Sequence, residues 1–130
     1  MAAKGDRSLT PLVFIVDDDL GVRRSTGRLV RSWGMRAETF GSAQDLVNCG
    51  HLAEAACLIL DVRMPNMEGL ELQRHLSETE QRIPVIFFSA RATKEEEDLA
   101  MRSGAVAFLR KPVRKDTLLL AIRTALESAK

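Results

Sequence analysis

The sequence predicts an α/β fold, a doubly wound five-stranded parallel sheet with helices on both faces. Three observations carry that expectation. Short apolar runs alternate five times with segments whose apolar residues recur at helical spacing, the pattern of a sheet built through crossover helices. The runs at residues 12–16, 57–60 and 84–88 are apolar without a break, as strands buried on both faces are. Four of the five strands end on chemically capable groups: Asp17 and Asp18, Asp61, Ser89, and Lys111. Right-handed crossovers then limit the topology to the doubly wound kind.

Residues 1–10 are polar and read as a flexible leader, with one domain over residues 11–130. The first strand, residues 12–16, runs directly into Asp17, Asp18 and Asp19. Residues 21–33 place Val22, Leu29, Val30 and Trp33 at helical spacing, and Gly34 supplies the stop. Arg23, Arg24, Arg28 and Arg31 fall on this helix and read as a solvated basic face. Residues 35–40 alternate weakly and suggest an edge strand. Ser42 opens a second helix that Gly50 ends. The third strand, residues 56–60, leads into Asp61, and residues 64–69 are turn chemistry. Leu70, Leu72 and Leu76 mark the third helix. The fourth strand ends on Ser89. Thr93 followed by Glu96 is a capping-box pattern for the fourth helix. Residues 105–109 form the fifth strand, and Asp116 is placed to cap the last helix, with Leu118, Leu119, Ile122 and Leu126 on its apolar positions.

The totals exclude several classes. A formal charge of +1 provides no global field for nucleic acid or an anionic membrane, so neither is an expected partner. No apolar run approaches the roughly 20 residues of a membrane helix, and the expected location is the cytoplasm. Cys49 and Cys57 read as free thiols. His51 and His75 lack partners at zinc-ligand spacing.

A parallel sheet brings its strand ends to one rim, where ligands bind in such folds. A lone carboxylate after a strand is usually a cap or a turn former; four strands agreeing on one rim is a stronger pattern. Asp17, Asp18 and Asp61 in one pocket repel one another, so either some stay protonated or a cation neutralises them. An all-oxygen donor set with room for water and phosphate oxygens favours Mg²⁺. A carboxylate beside Mg²⁺ and an ammonium can serve as a phosphoryl acceptor. Asp61 is then the nucleophile, with Lys111 and the Ser89 hydroxyl on the transferred oxygens.

The residues Val16-Asp17-Asp18-Asp19, Leu60-Asp61-Val62-Arg63-Met64-Pro65, Phe88-Ser89-Ala90 and Leu109-Arg110-Lys111-Pro112 resemble the receiver domain of bacterial two-component response regulators. The resemblance implies the flavodoxin-like, CheY-like (βα)5 fold. It also implies Asp61 as phosphoacceptor and Asp17 and Asp18 as the acid pair. Mg²⁺ would be held by Asp17, Asp18, Asp61 and the backbone carbonyl of Arg63. Ser89 and Phe108 would be the switch residues, and Lys111 the phosphate-contacting lysine before a cis Pro112. The residues at Arg63 and Arg91 would tune the lifetime of the phosphorylated state. Residues 104–109 are similar to FixJ-type receivers, whereas Ala90-Arg91-Ala92 is closer to OmpR-type ones.

The implied partner is a sensor histidine kinase or phosphotransfer protein. The chain is then a signalling switch that assists its own phosphotransfer and dephosphorylation, not a turnover enzyme. Its output face is built from the fourth helix, fifth strand and fifth helix. Acids at residues 95–98 and the bases Arg110, Arg114, Lys115 and Arg123 suggest a phosphorylation-enhanced homodimer through that face. A haloacid-dehalogenase-type hydrolase would have a second aspartate at position 63, where this chain has arginine. A pure interaction module that keeps the fold without being phosphorylated is the other rival.

Overall fold

A computed structural model of the chain describes residues 10–62, 69–78 and 83–128. Strands β1 (Leu12–Val16), β2 (Arg36–Phe40), β3 (Cys57–Leu60), β4 (Val85–Ser89) and β5 (Ala107–Arg110) form one parallel sheet in the order β2-β1-β3-β4-β5. Between them run α1 (Leu20–Ser32), α2 (Ala43–Val47), α3 (Gly69–Glu78) and α4 (Lys94–Arg102), and α5 (Lys115–Ser128) ends the order. This is the doubly wound (βα)5 architecture that the alternation predicts.

Strand alternation sorts the core into two layers. Phe14, Val16, Leu58, Leu60, Val85 and Phe87 point to one side, where Leu46 of α2, Leu72 and Leu76 of α3 and Ala100 of α4 pack on them. Val13, Ile15, Cys57, Ile59 and Ile86 point to the other, against Val30 of α1 and Leu118, Ala121, Ile122 and Ala125 of α5. Two covered faces explain why β1 and β3 are apolar at every position and β4 at every position before its last residue, Ser89. β2 lies at the edge and is only half-buried, which is why its sequence alternates.

Several expected boundaries shift. β5 is Ala107–Arg110, not residues 105–109. The Ala105 amide is still engaged with the Ala100 carbonyl at 3.1 Å, so the exit from α4 uses residues that composition alone assigns to the strand. Asp116 does not cap α5 from outside; it lies within the first turn, where its carboxylate accepts from the Thr117 amide at 3.0 Å. There its charge suits the helix N-terminus. A short 3-10 turn, Leu52–Glu54, precedes β3 and has no clear mark in the sequence.

The capping signals at Ser42 and Thr93 hold. Ser42 accepts from the Asp45 amide, and Thr93 with Glu96 forms the complete reciprocal box on α4. Gly34, Gly50 and Gly104 have φ of 85°, 85° and 103°, left-handed values that glycine tolerates best after a helical segment. Both cysteines are free, and burial pushes the Cys57 thiol up to about 12, which suits an inert core side chain. The flexible leader lies outside the described residues except for Thr10, as does the turn expected at residues 64–69 except for Gly69, which is the first residue of α3.

Candidate functional site

The carboxyl ends of β1, β3, β4 and β5 meet on one rim, and the predicted residues come with them. β1 ends at Val16, so Asp17 and Asp18 begin the loop to α1. Three adjacent acids have three different environments there. Asp17 is buried, while Asp18 and Asp19 are exposed. Asp19 caps α1, its Oδ1 accepting from the Val22 amide at 3.1 Å. That role was open to sequence reasoning, because aspartate just before a helical segment is a cap signal.

Asp61 is buried and follows β3 directly, with its amide donating to the Val16 carbonyl at 3.1 Å. The bond continues the β1–β3 ladder by one residue and fixes Asp61 beside the start of the acidic loop. Carboxylate oxygens of Asp17, Asp18 and Asp61, one from each, lie within 4.8 Å of one another. The sequence placed these three on one rim, and the strand order brings them into one cluster.

Lys111 reaches into that cluster from β5. Its Nζ donates to Asp17 Oδ2 at 2.6 Å and to Asp61 Oδ2 at 3.1 Å. It also stands 5.1 Å from the centre of the Phe88 ring, a cation–π distance. Burial is the largest single influence on its ammonium and pushes its pKa down. The hydrogen bonds and charges of Asp17 and Asp61 outweigh that, and the pKa rises above its ordinary value. The lysine is therefore held as a cation between two carboxylates. Its bond to Pro112 is cis, as the resemblance implies.

Ser89 is the buried last residue of β4. Its carbonyl accepts from the Lys111 amide at 2.9 Å, and its Oγ accepts from the Arg91 amide at 3.4 Å. Thus β4 and β5 are joined at their carboxyl ends. Phe108 is half-buried in β5, with its ring centre 5.9 Å from that of Phe87. Arg91 is exposed. Arg63 lies outside the described residues.

Other charged residues have partners that sequence reasoning missed. Arg23 and Arg31, expected on a solvated face, turn back onto the protein. Arg23 Nη1 donates to the Asp17 carbonyl at 2.8 Å, and Arg31 Nη2 donates to the Ala37 carbonyl at 2.9 Å. Arg110 donates to the Ala92 carbonyl and to Glu97, each at 2.8 Å, and its guanidinium lies 5.5 Å from the Phe108 ring centre. Some opposite charges expected to join two copies are thus joined within one. No local pattern announces these contacts, because each depends on how a helix packs beside the adjoining strand or loop.

The cluster combines three carboxylates and one ammonium at the open end of a parallel sheet, and Ser89 ends the neighbouring strand β4. It can hold a hard divalent cation on oxygen and present a carboxylate as a nucleophile. The family model described as the response regulator receiver domain matches residues 13–123. Over 119 residues the chain is 47% identical to the response regulator protein TmoT of Ectopseudomonas mendocina, covering 91% of this chain and 54% of that protein. It is 44% identical to TodT of Pseudomonas putida over 118 residues, covering 91% of this chain and 52% of the relative. The chain therefore spans about half the length of these curated relatives. The crystal structure of FixJ-N superposes with a TM-score of 0.83 at 32% identity, covering 90% of this chain and 94% of that one. The expected similarity to FixJ-type receivers holds, alongside higher identity to the TmoT and TodT regulators. A match across nearly the whole sheet and helix order, with the acidic rim inside it, places this chain in the response regulator receiver domain family of two-component systems.

Proposed function

We propose that residues 11–130 form the receiver unit and that Asp61 is its phosphoacceptor. The observation that supports this most is the Lys111 bridge: one ammonium held between Asp17 and Asp61 at the rim. It offsets the carboxylate charge that would otherwise oppose the approach of a phosphoryl group. In the transfer, Asp61 forms an oxygen–phosphorus bond as the donor's nitrogen–phosphorus bond breaks. The electron pair leaves with the donor imidazole. Lys111 then exchanges contact with Asp61 for contact with a phosphoryl oxygen, and the Ser89 hydroxyl donates to another.

Magnesium binding at an acidic pocket is general to the family, and the oxygen donors of Asp17, Asp18 and Asp61 suit that ion. These residues would hold it together with the Arg63 carbonyl. Bound there, the ion neutralises charge on the transferred group. The chain's own part is to position the acceptor and to assist both phosphorylation and dephosphorylation, with no second substrate turned over.

The donor is a sensor histidine kinase or a phosphotransfer protein, and the setting is the cytoplasm. Among the described residues no helix is long and apolar enough to cross a membrane. Phosphorylation shifts Ser89, Phe108 and the α4-β5-α5 face between two arrangements. Exposed Leu99 on α4 and Leu120 on α5 give that face apolar contacts for a partner, a second copy included. Arg91, which is exposed, and Arg63, which lies outside the described residues, would cover the phosphoryl group and lengthen its lifetime. Incubation with acetyl phosphate and Mg²⁺ tests the reading. Intact mass should rise by one phosphoryl group, and Asp61→Asn should remove the increase. Undiminished labelling of Asp61→Asn would place the acceptor elsewhere.

A further inference from the structure

Asp17 is held at every polar atom it has. Its amide donates to the Phe40 carbonyl at 3.1 Å. Its Oδ1 accepts from the Asp19 amide at 2.9 Å, and its Oδ2 accepts from Lys111 at 2.6 Å. Its carbonyl accepts from Arg23 Nη1 at 2.8 Å. Asp18 differs. Among the described residues its carboxylate makes no hydrogen bond or ion pair with another side chain or amide, and it is exposed. No contact directs that carboxylate beyond its own rotamers, and the point from which it reaches is placed by the backbone, starting with the Asp17–Asp18 peptide. The carbonyl of that peptide is the atom Arg23 holds.

The seat of the guanidinium is also specific. It lies against the corner after β2, where a Cβ on Gly41 would come within 3.1 Å of Arg23 Nη1. Glycine leaves the room that the guanidinium uses. The Phe40–Gly41 corner thus fixes Asp17 twice: Phe40 accepts its amide, and Gly41 accommodates the arginine on its carbonyl.

We propose that Arg23 is a positioning residue of the acidic pocket. By holding the Asp17 carbonyl it orients the Asp17–Asp18 peptide, and so the Asp18 carboxylate, for a divalent cation. This rests on the reading of Asp17, Asp18 and Asp61 as a cation site.

The proposal makes a prediction opposite in sign to the simplest alternative. A guanidinium near three carboxylates lowers their attraction for a cation, so an arginine acting by charge alone would weaken Mg²⁺ binding, and its removal would tighten it. An arginine acting by position makes the reverse prediction. A charge-assisted hydrogen bond lost from the peptide should weaken Mg²⁺ binding by about tenfold.

Calorimetric titration of the unphosphorylated protein with Mg²⁺ decides between them. Arg23→Ala should bind about tenfold more weakly, and Arg23→Lys, which keeps a donor, should recover part of the loss. In an Asp18→Asn background the Arg23→Ala change should alter affinity by less than about twofold, because the group it positions is already altered. Arg23→Met keeps the packing of the aliphatic stem and carries the same test should the alanine variant fail to fold. If the parent binds Mg²⁺ and loss of Arg23 leaves affinity unchanged or tighter, the proposal is overturned while the cation site stands. A full loss that persists in the Asp18→Asn background overturns the route through Asp18. A parent that binds no Mg²⁺ overturns the cation-site reading, and the proposal with it.

Discussion

At the rim of the sheet, Lys111 shares its ammonium between Asp17 and Asp61, and the three side chains are 16%, 3% and 11% exposed. One residue earlier in β5, Arg110 pairs with Glu97 of α4, at 46% and 28% exposure. The two adjacent residues use the same chemistry and leave the strand in different directions. Burial separates their consequences. Water solvates the Arg110–Glu97 pair and salt screens it, so such a pair stabilises by about 1 kcal/mol or less. The Lys111 set has little water to replace a lost partner, so removing one member leaves charge stranded. Phosphorylation at the rim would act on that poorly screened set.

The largest expected effect breaks the buried side of this contrast. Lys111→Ala should lower metal-free stability by about 3 kcal/mol, because Asp17 and Asp61 lose their shared cation. Added Mg²⁺ should restore part of that loss by binding the folded state. Urea denaturation with and without Mg²⁺ measures both. A loss no larger than that of a surface pair would end the distinction.

The exposed side sharpens with a smaller change. Arg110→Ala should cost about 1 kcal/mol or less in the same assay, since the pair with Glu97 is solvated. It should also loosen the segment from Ala92 to Glu97, because two of its anchors are gone. Hydrogen exchange of that segment is the more sensitive readout, and unchanged protection would show that the arginine does not tether it.

The smallest expected effect lies at the edge strand. His51 Nε2 is 2.9 Å from both carboxylate oxygens of Glu38, and Nδ1 is 3.0 Å from the Cys49 carbonyl. Both ring nitrogens thus face acceptors. The hydrogen bond to Glu38 is the largest influence and raises the His51 pKa above 6.5. A raised folded value means that the pair stabilises fully below the unfolded pKa and loses this contribution as pH rises through the folded one. Glu38→Gln should therefore cost most at mildly acidic pH and little at alkaline pH. Melting temperatures of parent and variant across that range should converge as pH rises; a constant gap would assign the effect to packing.

The candidate site was more legible than its supports. Asp17, Asp18, Asp61, Ser89 and Lys111 each follow or end a recognisable strand, so local runs and the parallel-sheet rule suffice to place them on one rim. Arg23 looks no different in sequence from Arg24 or Arg28. It is distinguished by the Asp17 carbonyl that its helix happens to face. His51 has no metal-ligand spacing, and its partner Glu38 sits on a strand whose pairing with β1 must be known first.

By itself the sequence determined the element order, the buried strands, the caps at Ser42 and Thr93, and the polar residues at the strand ends. These follow from periodicity and from backbone groups satisfied within a few residues. Tertiary structure decided the rest: the start of β5, the place of Asp116 inside its helix, the bridge from Lys111 to Asp17, and the pairing of Arg110 with Glu97. Asp17 and Lys111 are far apart in sequence, and they meet because the order β2-β1-β3-β4-β5 folds their strand ends onto one rim. Local free energy favours the strands wherever they pack. Only closure of the whole sheet, with both faces covered by helices, selects which side chains share a pocket.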